Sequence, residues 1–531
     1  MKSRAAINWP TFVVELALLI VATWFALHLN PTGFGGGPFD DQRYFDAARA
    51  WIAQPALVGK THWELRHPLI LPLAILFRLR GETIATGMLL PLAAALAFAA
   101  INFVAIRQAA SSRAAWIWAA LFLTMPLFLR IGTSIFPEII ELLFTSAALW
   151  ALWFGRQSRN PARLFAVSGL CAALAILTRE TAAWLLIVYA VCLILRPGVR
   201  RSQYGWILLA GAGPLLVEWA WLSWETGDPL YRLHVAMRHV LIPSANMAGG
   251  TVHVGHVLLN PAVGRAWIPP GLFHVHWALN PVLGLFADAK YGLGIWAAIL
   301  FALMPGPRAG NRRNRGRSIL IVPLLLVALL SFAFATYVLM ISQDQRYYAL
   351  AVSCIALIAA LLGDRLWSTG RRTVVIVMTG LVLVSNIVLT LQFRRFDDVA
   401  SAAMPLIRTA REPIHADATV AGQLRQPLAE AGLSGRIVTG GAPPGGLSLI
   451  VEPLQRDCAV TLPPEQQLVG CRVSGQPQLL RWVHDHLRQV PLPAKLLGRG
   501  TRALLVRSIA LRDRGSAPKV VPPPGRLRSH R

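Results

Sequence analysis

The chain has 531 residues, 55% of them hydrophobic and only 14% charged, with a mean hydropathy of +0.52. That is too apolar for a soluble protein of this size and places the chain among polytopic membrane proteins. The formal net charge of +26 comes mostly from arginines in short clusters between apolar runs, so membrane topology accounts for it and no nucleic-acid partner is expected.

Residues 1–30 combine a basic start with a long apolar run, and no small-x-small cleavage site follows before Asn30-Pro31. This reads as an uncleaved signal anchor whose start lies in the cytoplasm. The first outer loop, 29–82, then carries PFDDQRYFDAARAW at 38–51, with Asp40 and Asp41 adjacent and Asp46 on the next turn. Tyr44, Phe45, Ala48 and Trp51 recur at helical spacing and predict a short amphipathic helix over 41–52, suited to the membrane surface. One aspartate serves as a helix cap. A second beside it is repelled by the first and needs a cation, a metal or a substrate hydroxyl as partner. On spacing alone, capping and function both stay open.

Apolar runs follow near 11–28, 83–106, 114–129, 139–154, 164–178, 181–195, 204–222, 291–304, 318–341, 347–362 and 373–391. The shorter run HPLILPLAILF at 67–77 holds two prolines and is followed by Arg78 and Arg80. If it does not span, the clusters Arg107/Arg113, Arg156/Arg159/Arg163, Arg196/Arg200/Arg201, Arg308–Arg317 and Arg365/Arg371/Arg372 all fall in the cytoplasm. If it spans, all fall outside, against the positive-inside rule. The expectation is therefore eleven spans, N-terminus in and C-terminus out, with 67–80 a juxtamembrane or re-entrant piece. Asp40, Asp41, Glu64, His67, Glu138, Arg179, Glu180, Asp344 and Arg346 then share the outer face, as does the loop 223–290.

That loop contains His234, His239, His253, His256, His274 and His276 but no cysteine. Contacts to an acceptor, or packing, fit these histidines better than a zinc site. From about residue 394 the pattern shifts to short pieces, DATVAG, QLRQPLAEAG, GRIVTGG, LSLIVE and ALLVRSIAL. They predict strands with at least one helix, a small extracytoplasmic α/β domain over 394–512. The Pro- and Arg-rich tail 513–531 reads as disordered. Cys171, Cys192 and Cys354 sit in apolar runs as packing residues. Cys458 and Cys471 pair only if this domain is exported, so topology decides them.

Asp40-Asp41-Gln42-Arg43-Tyr44-Phe45-Asp46-Ala47-Ala48-Arg49 resembles the Asp-Glu-x-Arg-Tyr-x-x-x-Ala-Arg signature in the first outer loop of GT-C membrane glycosyltransferases. The likeness is closest to the group that includes protein O-mannosyltransferases and bacterial aminoarabinose transferases. His67-Pro68-Leu69 resembles the His-Pro-Pro-Leu that follows, with one proline fewer, and Phe136-Pro137-Glu138 resembles a Pro-Asp/Glu at the second outer loop. Leu177-Thr178-Arg179-Glu180-Thr181, Thr226-Gly227-Asp228-Pro229-Leu230-Tyr231 and Gln345-Arg346-Tyr347-Tyr348 are similar to further motifs of bacterial members. The resemblance covers 1–390 in order and implies a GT-C-like transmembrane domain over 1–393.

The resemblance implies an inverting transfer of a sugar from a polyprenyl-phosphate carrier to an acceptor hydroxyl, on the outer face of a bacterial inner membrane. It implies Asp40 as the base, Asp41 orienting substrate or sharing that role, and Glu138 as a further acid of the site. Arg346 and Arg179 become candidates for the lipid phosphate, with Arg66, His67, Glu180 and Tyr347 as further substrate contacts. Each has a plainer alternative. Glu138 can mark a span's water boundary, Arg179 and Glu180 can pair only with each other, and Arg346 can anchor the interface with Tyr347 and Tyr348. The donor is a polyprenyl-phosphate sugar, and the acceptor a glycan, lipid or protein. The resemblance leaves room for a divalent cation without requiring one. The rival from another class is a lipid or lipid-linked-sugar flippase, which would keep ionisable groups near the bilayer midplane.

Overall fold

The computed structural model describes residues 9–29, 40–195, 198–240, 280–287, 291, 293–304, 312–338, 345–393, 399–455, 458–474 and 500–509. His253, His256, His274, His276, the side chains of His239 and of the Arg308–Arg317 cluster, and the tail 513–531 lie outside them.

Every one of the eleven apolar runs contains a helix. Among the described residues, seven helical segments are long and apolar enough to cross a membrane: Trp9–His28, Ile84–Ala109, Pro137–Gly155, Arg201–Thr226, Leu320–Tyr337, Arg346–Ser368 and Arg372–Thr390. Ala162–Thr178, Glu180–Leu195 and Gly294–Leu303 are apolar but shorter. The chain is a polytopic α-helical membrane protein. Where one continuous span over 114–129 was expected, two helices, Ser112–Phe122 and Pro126–Gly132, meet at 81°. Pro126 lacks an N–H and forces Met125 into extended backbone, φ −67° and ψ 136°, so the first helix cannot run on. The break frees carbonyls in apolar surroundings, and the buried Asn386 amide donates to Leu121 O and to Thr124 Oγ1, both at 3.1 Å.

Contacts divide the chain into two compact units, the first holding Arg43–Thr390 with the N-terminal helix, the second holding Asp40–Gln42 and the chain from Leu391. We label α1 (Asp40–Ala53), which belongs to the first unit from Arg43 onward, and, within the first unit, α2 (His67–Arg80), α3 (Pro137–Gly155), α4 (Ala162–Thr178), α5 (Gly205–Thr226) and α6 (Tyr231–Val240). The expected juxtamembrane piece is α2, a helix with Pro72 inside it and Leu69, Ile70, Leu73 and Phe77 buried. Helix α1 does not present its apolar side to lipid. Tyr44, Phe45 and Ala48 are buried inside the protein, with the Phe45 ring 4.4 Å from that of Phe77. A stripe that pattern alone assigns to a membrane surface is covered by the next helix instead. Helices α4 and α5 approach so closely at Gly169 that a Cβ there would lie 2.1 Å from Ile207 O, the small-residue contact that apolar helices use where no hydrophobic gain drives them together.

The second unit carries a five-stranded sheet, β1 (Ile414–Ala416), β2 (Ile437–Thr439), β3 (Leu447–Gln455), β4 (Gln466–Val473) and β5 (Gly500–Ser508), in the order β2-β1-β3-β5-β4. β1 runs parallel to β2 and β3, while β5 is antiparallel to β3 and β4. Ile407, Leu424, Leu449, Ala503 and Leu505 belong to its core. Among the pieces read as strands with at least one helix, DATVAG starts the helix Ala418–Glu430, because Asp417 Oδ1 accepts from the N–H groups of Thr419 at 2.7 Å and Val420 at 2.9 Å. Strand β4 had no counterpart in the sequence pattern. On β5, the buried Arg502 pairs with its cross-strand neighbour Glu452. Cys458 and Cys471 form a disulfide.

Candidate active site

Helix α3 begins sharply. Phe136 is extended and Pro137 occupies the first turn, where its missing N–H costs nothing, so Glu138 falls at the positive end of the helix. Three residues on, Glu141 lies on the same face. Arg179 sits where α4 stops: its backbone is extended, φ −155°, between the last turn of α4 and a 3-10 turn over Glu180–Trp184. Arg346 comes from a second 3-10 turn, Gln345–Tyr348, before the helix Ala349–Ser368.

These side chains meet. Glu138 Oε1 lies 3.4 Å from Arg179 NH1 and 3.4 Å from Arg346 Nε. Arg179 NH1 also donates to Glu141 Oε2 at 3.2 Å, and the Thr181 hydroxyl donates to Glu141 Oε1 at 2.5 Å. The Tyr347 ring lies under both guanidinium groups, 4.4 Å from Arg179 and 5.2 Å from Arg346. Glu138 is 3% exposed and Arg179 4%. Charges buried this deeply persist only when paired, and here two acids balance two arginines. A small recess of about 30 Å³ opens on the group, lined by Glu138, Glu141, Thr145, Thr181, Arg346 and Tyr347 among others. Glu138 Oε2 is buried and has no hydrogen-bond partner among the described residues, so an acceptor is left for a ligand's hydroxyl.

Arg179 and Glu180 do not pair with each other. Glu180 turns away to Arg232 of α6, which donates to it from Nε at 3.1 Å and NH2 at 2.9 Å. Arg232 NH1 donates to both oxygens of Glu218 in α5, at 2.8 and 2.9 Å, and to Leu65 O at 3.0 Å, while NH2 reaches Leu177 O at 2.9 Å. Burial works against the charged guanidinium, but Glu180 and Glu218 outweigh it and raise the pKa of Arg232. Glu218 in turn is hydrogen-bonded to His67 Nδ1. Arg66, next to His67, lies over the Tyr44 ring at 5.4 Å and acts electrostatically on both Glu141 and Glu180, which ties this second cluster to the first.

Asp40 and Asp41 open α1, both in its first turn, where the helix dipole favours acids. Asp41 is 1% exposed, and its Oδ1 accepts from the Gln42 N–H at 3.1 Å. These two aspartates are grouped with the second unit, whereas Glu138, Arg179, Arg346, Tyr347, Arg66, His67 and Glu180 all belong to the first. Sequence reasoning passed over Glu141, Thr181, Glu218 and Arg232 as site residues. The spacing of Glu141 from Glu138 was a usable signal, and nothing local marks the other three. Of the loop histidines, His234 pairs with Asp228 at 2.7 Å. Among the described residues no group of three or more His, Cys, Asp or Glu side chains is placed to hold a metal ion.

Residues 66–224 match the family model described as dolichyl-phosphate-mannose-protein mannosyltransferase. The resemblance read from the outer-loop motifs is borne out over this segment, which holds Glu138, Arg179 and both carboxylate partners of Arg232. No curated protein matches the sequence. Among solved structures, ArnT from Cupriavidus metallidurans bound to undecaprenyl phosphate is similar over 96% of this chain and 99% of its own, at 13% identity and a TM-score of 0.38. The oligosaccharyltransferase AglB from Archaeoglobus fulgidus, in complex with an inhibitory peptide and a dolichol-phosphate, is similar over 82% of this chain and 65% of its own, at 13% identity and a TM-score of 0.44.

Proposed function

We propose that this chain is an inverting glycosyltransferase that moves a sugar from a polyprenyl-phosphate carrier to an acceptor hydroxyl of the cell envelope. The observation that carries this reading is the convergence of Arg179 and Arg346 on Glu138 at the mouth of a polar recess. Two guanidinium forks beside a buried acid suit a phosphate diester that gains charge as it leaves. In the reaction, the acceptor O–H gives its proton to a carboxylate, Asp40 by resemblance, with Asp41 orienting the hydroxyl. The acceptor oxygen forms a bond to the anomeric carbon from the side opposite the phosphate. The old C–O bond breaks, and its electron pair leaves on the polyprenyl phosphate, now a monoester held by Arg346 and Arg179. A single displacement of this kind inverts the anomeric centre.

The site residues lie at helix starts and at the turns between helices, not in the middle of a span, which favours surface chemistry over a transport path. The positive-inside pattern supports an outer-face site with the N-terminus in the cytoplasm. The Cys458–Cys471 disulfide agrees with an exported C-terminal unit, since such bonds persist in oxidising compartments. We place the protein in a bacterial inner membrane, with a glycan, a lipid or a protein as acceptor. A panel of polyprenyl-phosphate sugars, offered to the purified protein with a crude envelope extract, tests the reading through release of polyprenyl phosphate. Release with one donor supports it. No release with any donor shifts the weight to lipid transport.

A further inference from the structure

His67 is 7% exposed and is not among the residues that line the arginine recess. It opens α2 beside Pro68, a residue that suits a first turn. Its Nδ1 is bonded to Glu218, across a sequence separation of 151 residues. Both oxygens of Glu218 also accept from Arg232 NH1, so toward these neighbours the side chain serves as an acceptor. In a neutral ring, that contact fixes the proton on Nδ1 and makes Nε2 an acceptor. Nε2 is buried and has no hydrogen-bond partner among the described residues. Two indole rings enclose the imidazole, Trp51 at 5.9 Å and Trp221 at 5.3 Å between centroids.

We infer that Glu218 is a positioning residue that turns His67 Nε2 into the acceptor for a hydroxyl of the sugar substrate, with Trp51 and Trp221 as the walls of that subsite. The chemistry selects the partner. A lone-pair nitrogen repels the oxygens of a phosphate diester, which has no proton to give, and it takes a hydrogen bond from an O–H. Burying such an acceptor is costly until a donor reaches it, so a substrate that lacks the hydroxyl is rejected. The charged groups around the ring are Glu218 on α5, Arg232 on α6 and the neighbouring Arg66. Glu180 offsets Arg232 from the far side. The inference rests on the proposed sugar transfer for the identity of its ligand, and on the structure alone for the state of the ring.

The test is nitrogen-15 NMR of histidine-labelled full-length protein in lipid nanodiscs at pH 8, where an ordinary imidazole is neutral. The His67 signals are assigned by their loss in His67→Gln. The expected state carries the proton on Nδ1 with a bare Nε2; a proton on Nε2 overturns the inference. Glu218→Leu combined with Arg232→Met removes both charges together, so that the half-exposed Glu180 is the one charged group left without its partner and His67 Nδ1 loses its acceptor. In that variant the single tautomer gives way to a mixture, and a tautomer that persists unchanged overturns the role of Glu218. The wild-type protein is then titrated with the panel of polyprenyl-phosphate sugars and with bare polyprenyl phosphate. A movement of the Nε2 resonance with a sugar-bearing lipid but not with the bare lipid supports the hydroxyl contact. An equal movement with both, or none with any, overturns it. Turnover plays no part in these readouts, so a protein that binds sugar lipids without transferring them would defeat the proposed function and leave this inference standing.

Discussion

Arg179 and Arg346, 167 positions apart in sequence, reach the same oxygen of Glu138 at the same distance, 3.4 Å. Two guanidinium groups brought this close repel each other and are held by what lies between them. Glu138 is that element, so it has a structural role as well as any chemical one. Replacing it by Ala leaves two buried cations undercompensated, at a cost of about 3–5 kcal/mol. Thermal unfolding in detergent should show a clear fall in Tm for Glu138→Ala and a smaller one for Glu138→Gln, whose amide oxygen still accepts. Equal Tm values for all three proteins would contradict the pairing.

Arg346 separates charge from geometry. Lysine keeps the charge but loses the planar fork, and with it one of two phosphate contacts. A hydrogen bond to a charged group is worth roughly 1.5–3 kcal/mol, so Arg346→Lys should lower kcat/KM for the donor about 10- to 100-fold. Steady-state release of polyprenyl phosphate measures it. Wild-type values in Arg346→Lys would leave Arg346 as an interfacial anchor.

The contact between α4 and α5 depends on Gly169. Any side chain there meets the Ile207 carbonyl, which is backbone and cannot swing aside. Gly169→Val should destabilise the protein by about 1–3 kcal/mol through overpacking. Gly213, near which no atom would meet a Cβ, provides the control. If Gly169→Val and Gly213→Val unfold at the same temperature, the close approach is not what holds these helices.

In the C-terminal unit the disulfide closes a loop with a sequence separation of 13. A loop of that size contributes about 3 kcal/mol by restricting the unfolded chain. The double substitution Cys458→Ser and Cys471→Ser should therefore lower the unfolding midpoint of the wild type to that of the reduced protein. A reductant should change nothing further in the variant. A midpoint that the substitutions leave in place would show that the bridge does not constrain the fold.

Much of the transmembrane architecture was legible because bilayer thickness and arginine placement constrain every span alike, as in Ile84–Ala109 and Arg372–Thr390. The break at 112–132 also had a visible cause, Pro126, which a hydropathy run averages away. Which of the C-terminal pieces were strands and which helix was not legible piece by piece: in DATVAG, Thr and Val suit a strand, whereas Asp417 supplies a cap that decides for helix. For the site, the acids and arginines at loop positions could be picked out one at a time. Their partners could not. Nothing near His67 in sequence points to Glu218, and the Arg179-Glu180 dipeptide invited a local pair that extended backbone at Arg179 prevents. Long-range pairing of buried charge is a property of packing, and composition is silent on it.

The sharpest test of the account compares wild type with Asp40→Asn in the donor assay, with folding checked by an unchanged Tm. The account predicts release of polyprenyl phosphate from one donor by the wild type, and its loss in a folded Asp40→Asn protein. Undiminished release by Asp40→Asn would contradict Asp40 as the base and move that role to Asp41 or Glu138. A wild type that releases nothing from any donor, with acceptor extract present, would contradict sugar transfer itself.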